Sequence, residues 1–175
     1  MVGLLAASFI FGQAELLSLQ RQPVSVFPSR ASKGVVALFI LADCPIARAY
    51  SSEFKRLKTE YGAKGFDFKL VYADGDSHLE HLRMNSKEFG YDGWSFVDHG
   101  LLDRAEATIS PTAAVFSPTG SLLYSGRVDN LYAALGKRRA KATTHDLRDA
   151  LDAVAKGKAA SNPRTRPIGC AIPRN

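Results

Sequence analysis

Apolar positions in this chain follow two kinds of spacing. The densest run, Val35 to Ala42, is apolar throughout and is bounded by Gly34 and Asp43, as expected of a central strand buried on both faces. It breaks at Asp43-Cys44-Pro45 and passes straight into a segment of helical periodicity, Ala47 to Leu57, with an end expected at Tyr61-Gly62. Phe66 to Ala73 alternates at first and becomes apolar by its close, which predicts a second strand. Strand, helix and strand in close succession form a βαβ unit, so the two strands are predicted to be parallel with a right-handed crossover.

Asp74-Gly75-Asp76-Ser77 reads as a turn and helix cap, opening a polar helix from His78 to Phe89 that Gly90 closes. Trp94 to Asp98 is predicted as a short strand and Leu101 to Ala107 as a short helix. Two further strands flank Ser117-Pro118-Thr119-Gly120, giving a β-hairpin, and Pro111 stands immediately before the first of them. Leu135 to Thr143 reads as a basic loop, and Thr144 to Val154 as a capped amphipathic helix stopped at Gly157. Upstream, Glu15 to Lys33 is expected to be a loop-like connection holding one short alternating piece, Pro23 to Phe27.

Length and composition fit one domain of 175 residues, large enough to bury a core without cross-links. The formal charge is +6, drawn largely from Lys137-Arg138-Arg139 with Lys141 and from Arg164, Arg166 and Arg174. These read as solvated surface charge. No ribbon of interleaved basic and aromatic residues points to nucleic acid. The apolar stretch Val2 to Phe11 has signal-peptide length and is too short to span a bilayer, and Gly12-Gln13-Ala14 offers small residues for cleavage, although no Lys or Arg precedes it. The expected division is therefore an export signal over 1–14, a domain over 15–160 and a Pro/Arg-rich tail over 161–175. The expected location is exported or periplasmic, with the cytoplasm as the alternative. No stable membrane span is expected, and a homodimer stays open.

The chemistry centres on the chain's two cysteines, Cys44 and Cys170. No CxxC pair and no Cys/His cluster of zinc spacing is present, so neither a metal nor another cofactor is expected. Cys44 falls at the carboxyl end of the buried strand and the amino end of the following helix, where unpaired N–H groups favour a thiolate. Pro45 suits the first helical turn. Arg48 or Arg127 would lower the thiol pKa and Asp43 would oppose that or accept a proton, with Arg48 read chiefly as a surface residue. A reactive thiol also requires Cys44 to be exposed. His78 and His81, three apart, read as surface histidines with no third ligand, and His145 as a residue that caps or packs.

These features resemble the thioredoxin fold, and within it the redoxins: the alkyl hydroperoxide reductase/thiol-specific antioxidant and TlpA-like thiol-disulfide proteins. The resemblance spans about Lys33 to Lys156 and rests on Asp43-Cys44-Pro45, Ile109-Ser110-Pro111, Pro118-Thr119-Gly120 and Tyr124-Ser125-Gly126-Arg127. It implies a central mixed sheet flanked by helices, a cis-proline at Pro111 and a thiol-dependent oxidoreductase in which Cys44 attacks a peroxide or a protein disulfide. An external thiol reductant would then reset it. The departures are specific. Ala47 occupies the place of the second cysteine of a CxxC, Leu41 that of the threonine peroxiredoxins use toward peroxide, and Arg48 that of the second cysteine in Sco-like copper proteins. In several peroxiredoxins the resolving cysteine lies in a carboxy-terminal tail, a part that Cys170 would take here. The competing readings are a small buried residue at Cys170, a thioredoxin-fold interaction module using the basic loop and tail, and a copper site recruiting Cys170 and His145.

Overall fold

Gly34 to Ile40 is buried at every position because its side chains alternate between two apolar layers. The computed structural model describes residues 15–27, 32–75 and 78–173. The expected export segment and the Asp76-Ser77 cap lie outside the described residues. Strand β3 (Gly34–Ile40) runs parallel to β4 (Phe66–Tyr72), with Leu38 opposite Leu70, and antiparallel to β7 (Thr112–Phe116). β5 (Ser95–His99) adds parallel to β4, and β8 (Leu122–Gly126) forms the predicted hairpin with β7.

On one face, Val36, Leu38 and Ile40 pack against α2 (Ser51–Gly62), α3 (Leu79–Phe89) and α5 (Asp146–Ala155) through Phe54, Leu57, Leu82, Leu147 and Leu151. On the other, Val35, Ala37 and Phe39 meet Leu16, Val26, Phe116 and Leu101 of α4 (Leu101–Arg104). Each large side chain fully buried this way contributes about 1.5–3 kcal/mol. The result is a central mixed sheet flanked by helices: the thioredoxin arrangement.

Four expectations need correction. The segment read as a loop supplies two strands, β1 (Glu15–Ser18) and β2 (Pro23–Ser25), which extend the sheet beyond β5 in the order β2-β1-β5-β4-β3-β7-β8. β2 falls in the alternating piece Pro23 to Phe27, whereas the four-residue β1 is too short to register and is templated by the edge of β5, β2 then adding to β1; the proline sits on the outermost strand, where a missing donor costs least. Secondly, the helix after Cys44 is divided into α1 (Pro45–Ala49) and α2. Tyr50 N–H bonds Ala47 O at 3.1 Å, a tightened i→i−3 turn, while the Tyr50 ring is buried beside Phe54 and Tyr132.

Thirdly, a small hairpin runs into the basic loop, β9 (Tyr132–Ala134) before it pairing with β10 (Lys137–Arg138) inside it, turned through Leu135 and a positive-φ Gly136. Apart from Tyr132, which packs on the core, it is largely exposed, so no apolar periodicity marks it in the sequence. Fourthly, α5 begins at Asp146 with His145 as its N-cap, and the Thr144 hydroxyl instead donates to the Asp146 carboxylate at 3.0 Å. Among the described residues, no helix is long and apolar enough to cross a membrane.

Candidate functional site

The carboxyl end of β3 delivers Cys44 to the start of α1. Cys44 is the N-cap of that helix, with Pro45 at its first position, and its carbonyl accepts Arg48 N–H at 3.0 Å. Directly beside it lies β6 (Ile109–Ser110), followed by a cis Ser110-Pro111 bond. Cys44 Sγ is 3.3 Å from the Ser110 carbonyl oxygen, which can accept the S–H of a reduced thiol. The Ser110 hydroxyl accepts Leu41 N–H at 2.8 Å and so ties the proline loop to the end of β3.

The tail closes over this junction. Its last strand, β11 (Cys170–Ala171), pairs antiparallel with β6, placing Cys170 opposite Ser110 and Ala171 opposite Ile109. Ile172 N–H extends the ladder to Thr108 O at 2.9 Å, and the Ile172 side chain is buried. Cys44 and Cys170 form a disulfide, with Cα atoms 6.0 Å apart and 126 residues between them in sequence.

Two close approaches hold the tail. Gly169 packs against Ser110 so tightly that a Cβ would collide with its carbonyl oxygen, and a Cβ on Gly126 would collide with Thr165. Thr165 is the second fastening: its hydroxyl meets Tyr124 Oη at 2.7 Å and accepts Arg127 N–H at 3.0 Å. Ser125 N–H bonds Pro163 O at 3.0 Å and Ser125 O accepts Thr165 N–H at 3.2 Å, so the tail base lies along the edge of β8.

Of the residues singled out in sequence, Cys44, Pro45, Pro111 and Cys170 come together here. Contrary to the expectation of an exposed thiol, Cys44 is only 2% exposed, because the tail lies over it in the disulfide form. Arg127 is also placed differently: its guanidinium is held by Asp146, at 2.9 and 3.1 Å, and not by the cysteines. Burial pulls the Asp146 carboxyl up, but hydrogen bonds from Arg127 and Thr144 outweigh it and hold it below the usual aspartate range. Arg48 is a surface residue, 3.8 Å from Glu88 and stacked over Phe89. Asp43 points outward and meets His81 Nε2 at 3.1 Å, so His81 stands beside the junction although 38 residues separate the two in sequence. His145 is an exposed cap. Among the described residues no group of three or more His, Cys, Asp or Glu is arranged to hold a metal ion.

Sequence reasoning passed over the roles of Ser110, Tyr50 and the glycine at 169, and read Asp74 only as part of a turn and helix cap. Ser110 lies within the Ile-Ser-Pro marker, yet only the fold shows its carbonyl beside Cys44 and its backbone paired with Cys170. Tyr50 donates to Asp129, and burial, reinforced by that carboxylate, raises its hydroxyl pKa well above the usual value. The Asp74 carboxylate caps the end of β3 by accepting Ala42 N–H at 3.0 Å, and burial pushes its pKa up despite that bond.

No family model and no curated protein matches the chain. Solved structures do. An uncharacterized conserved protein from Geobacillus kaustophilus superposes with a TM-score of 0.78 at 21% identity, covering 93% of this chain and 88% of its own. A hypothetical protein from Sinorhizobium meliloti gives 0.76 at 22% identity, covering 90% and 88%. A secreted Mycobacterium tuberculosis disulfide oxidoreductase gives 0.54 at 12% identity, covering 82% and 96%. A thiol-disulfide oxidoreductase from Bacteroides fragilis gives 0.53 at 24% identity, covering 63% and 85%. At these identities the likeness establishes the thioredoxin fold.

Proposed function

We propose that this protein is a thiol-disulfide oxidoreductase that cycles between a dithiol and the Cys44–Cys170 disulfide. The disulfide, set at the start of α1 and against the cis-proline loop, is the observation that carries this reading. In the reduced protein the Cys44 thiolate attacks one sulfur of a substrate disulfide. That S–S bond breaks, the leaving thiolate takes a proton, and a mixed disulfide remains on Cys44. The Cys170 thiolate then attacks the Cys44 sulfur and expels the second substrate thiol. Two electrons have passed from the protein dithiol to the substrate. An external thiol reductant reverses the change, entering at Cys170, the less buried of the two residues. A disulfide is favoured over a peroxide as substrate because Leu41 supplies no hydroxyl beside the sulfur, and because the fold's named neighbours are thiol-disulfide oxidoreductases. The tail from 161 onward belongs to the redox unit. The apolar segment 1–14 is read as an export signal, which would place the pair where disulfides persist.

The test is oxidised glutathione added to the reduced protein, followed by mass mapping. Wild type should release two thiols and close Cys44 onto Cys170, whereas Cys170→Ser should accumulate glutathione on Cys44. Failure of Cys44 to react in the folded protein, while the unfolded chain reacts, would sink the redox reading. Closure by hydrogen peroxide faster than by equimolar oxidised glutathione would reassign the substrate.

A further inference from the structure

The tail and the β9–β10 hairpin enclose a cleft of about 410 Å³ beside Gly169, lined by Ile109, Leu135, Arg166, Pro167 and Ile168. Leu135, at the hairpin tip, is 68% exposed, an apolar side chain displayed in the open. Lys137, Arg138 and Lys141, which follow it in the chain, and Arg166, which lines the same cleft, are exposed, and no carboxylate of the described residues pairs with any of them. The carboxylates behind this region are engaged elsewhere: Asp146 with Arg127, and Asp129 with Tyr50 and the Leu131 N–H. An unneutralised cluster of cations around an apolar anchor favours a partner of opposite charge. The cleft also reaches Gly169, next in sequence to the cysteine at which exchange with an outside thiol begins.

We infer that the β9–β10 hairpin and the tail form the docking surface for an acidic thiol protein, the partner that exchanges disulfides with Cys170. This rests on the redox reading above. Leu135 supplies the apolar contact, and Lys137, Arg138, Lys141 and Arg166 attract carboxylates flanking the partner's cysteine. A protein is favoured over an anionic membrane because the surface borders a disulfide, and a lipid headgroup brings no thiol to it.

The probes are two cysteine peptides of equal length, one with glutamates flanking the cysteine and one with lysines. Each is used to reduce the oxidised full-length protein, with rates normalised to thiolate concentration, and dithiothreitol serves as an uncharged reference. At low salt the glutamate peptide should react about tenfold faster, a preference lost near 1 M salt, where the screening length is about 3 Å. Lys137→Glu/Arg138→Glu should abolish or invert the preference, and Leu135→Ser should weaken it, with the dithiothreitol rate unchanged. Lys33→Glu/Lys58→Glu, an equal change of charge near the amino ends of β3 and β4, should retain most of it. An equal preference in both double variants overturns the docking surface, as does no preference in wild type. Binding to phosphatidylglycerol vesicles that depends on Lys137 and Arg138, without peptide preference, overturns it in favour of a membrane. A protein that dithiothreitol cannot reduce, or that holds no Cys44–Cys170 bond, removes the redox reading itself.

Discussion

Ser110 stands opposite Cys170 in the ladder between β6 and β11, and its carbonyl oxygen lies 3.3 Å from Cys44 Sγ. One residue thus sets the position of both sulfurs, one by strand pairing and the other by direct contact. The fit depends on Gly169, whose Cα packs against the same carbonyl.

Gly169→Ala should loosen the tail without disturbing the domain core. Overpacking a tight contact costs about 1–3 kcal/mol, and each 1.4 kcal/mol moves an equilibrium about tenfold. The Cys44–Cys170 bond should therefore reduce at least several-fold more readily in a glutathione buffer, with the unfolding midpoint of the reduced protein little changed. An unaltered redox equilibrium would show that the close approach does not govern closure.

Ser110→Ala removes the acceptor of Leu41 N–H, a part-buried bond whose acceptor residue is fully buried. Leaving such a donor unsatisfied costs about 1–3 kcal/mol. With typical urea slopes of about 1–3 kcal/mol per M, the midpoint should fall by roughly 1 M. A midpoint within error of wild type would contradict this role.

Arg127→Leu tests whether this cation serves the thiol or the scaffold. Since the guanidinium is held by Asp146, the variant should lose about 1.5–3 kcal/mol at neutral pH, the range of a charge-assisted hydrogen bond. Asp146 has a depressed native pKa, so its contribution is present above the ordinary aspartate pKa and lost as pH falls through the native value. The variant should therefore show a flatter loss of stability in acid. Its Cys44 alkylation rate against pH, measured in the reduced protein, should overlay wild type; a clear upward move of that profile would restore Arg127 to the thiol.

Asp74→Asn should act with the opposite sign. Burial raises the Asp74 pKa in the native state, so its stabilisation is complete below the ordinary aspartate pKa and lost as pH rises through the raised native value. Relative to wild type the variant gains stability as pH rises toward 7. Denaturation at several pH values reads this directly, and a wild-type-to-variant difference independent of pH would refute it.

The buried strand, the βαβ unit, the β7–β8 hairpin and the cysteine at the strand-to-helix junction were legible because apolar spacing and turn chemistry are local. What escaped was set by partners distant in sequence. β1 is a strand because β5 offers it an edge, and β2 because β1 does, while β9–β10 is largely exposed, with Tyr132 packed on the core. Arg127 looked like a thiol tuner by its place in the hairpin, but Asp146, on another element, claims it. The resemblance pointed to a part for Cys170 in the tail, and β11 forms there. Which surface it would meet depended on Ser110, which no spacing relates to Cys170.

The bridge between Ser125 and Arg164 has a consequence for kinetics. With the tail base fastened at Thr165, a reduced Cys170 is tethered by only five residues. A flexible chain of that length has an end-to-end distance of about 12 Å, so the thiol stays near Cys44 at an effective concentration of roughly millimolar order. Any outside thiol competing for a mixed disulfide on Cys44 must match that figure. At micromolar concentrations it loses to ring closure, and the chain resolves its own intermediate before a second molecule arrives.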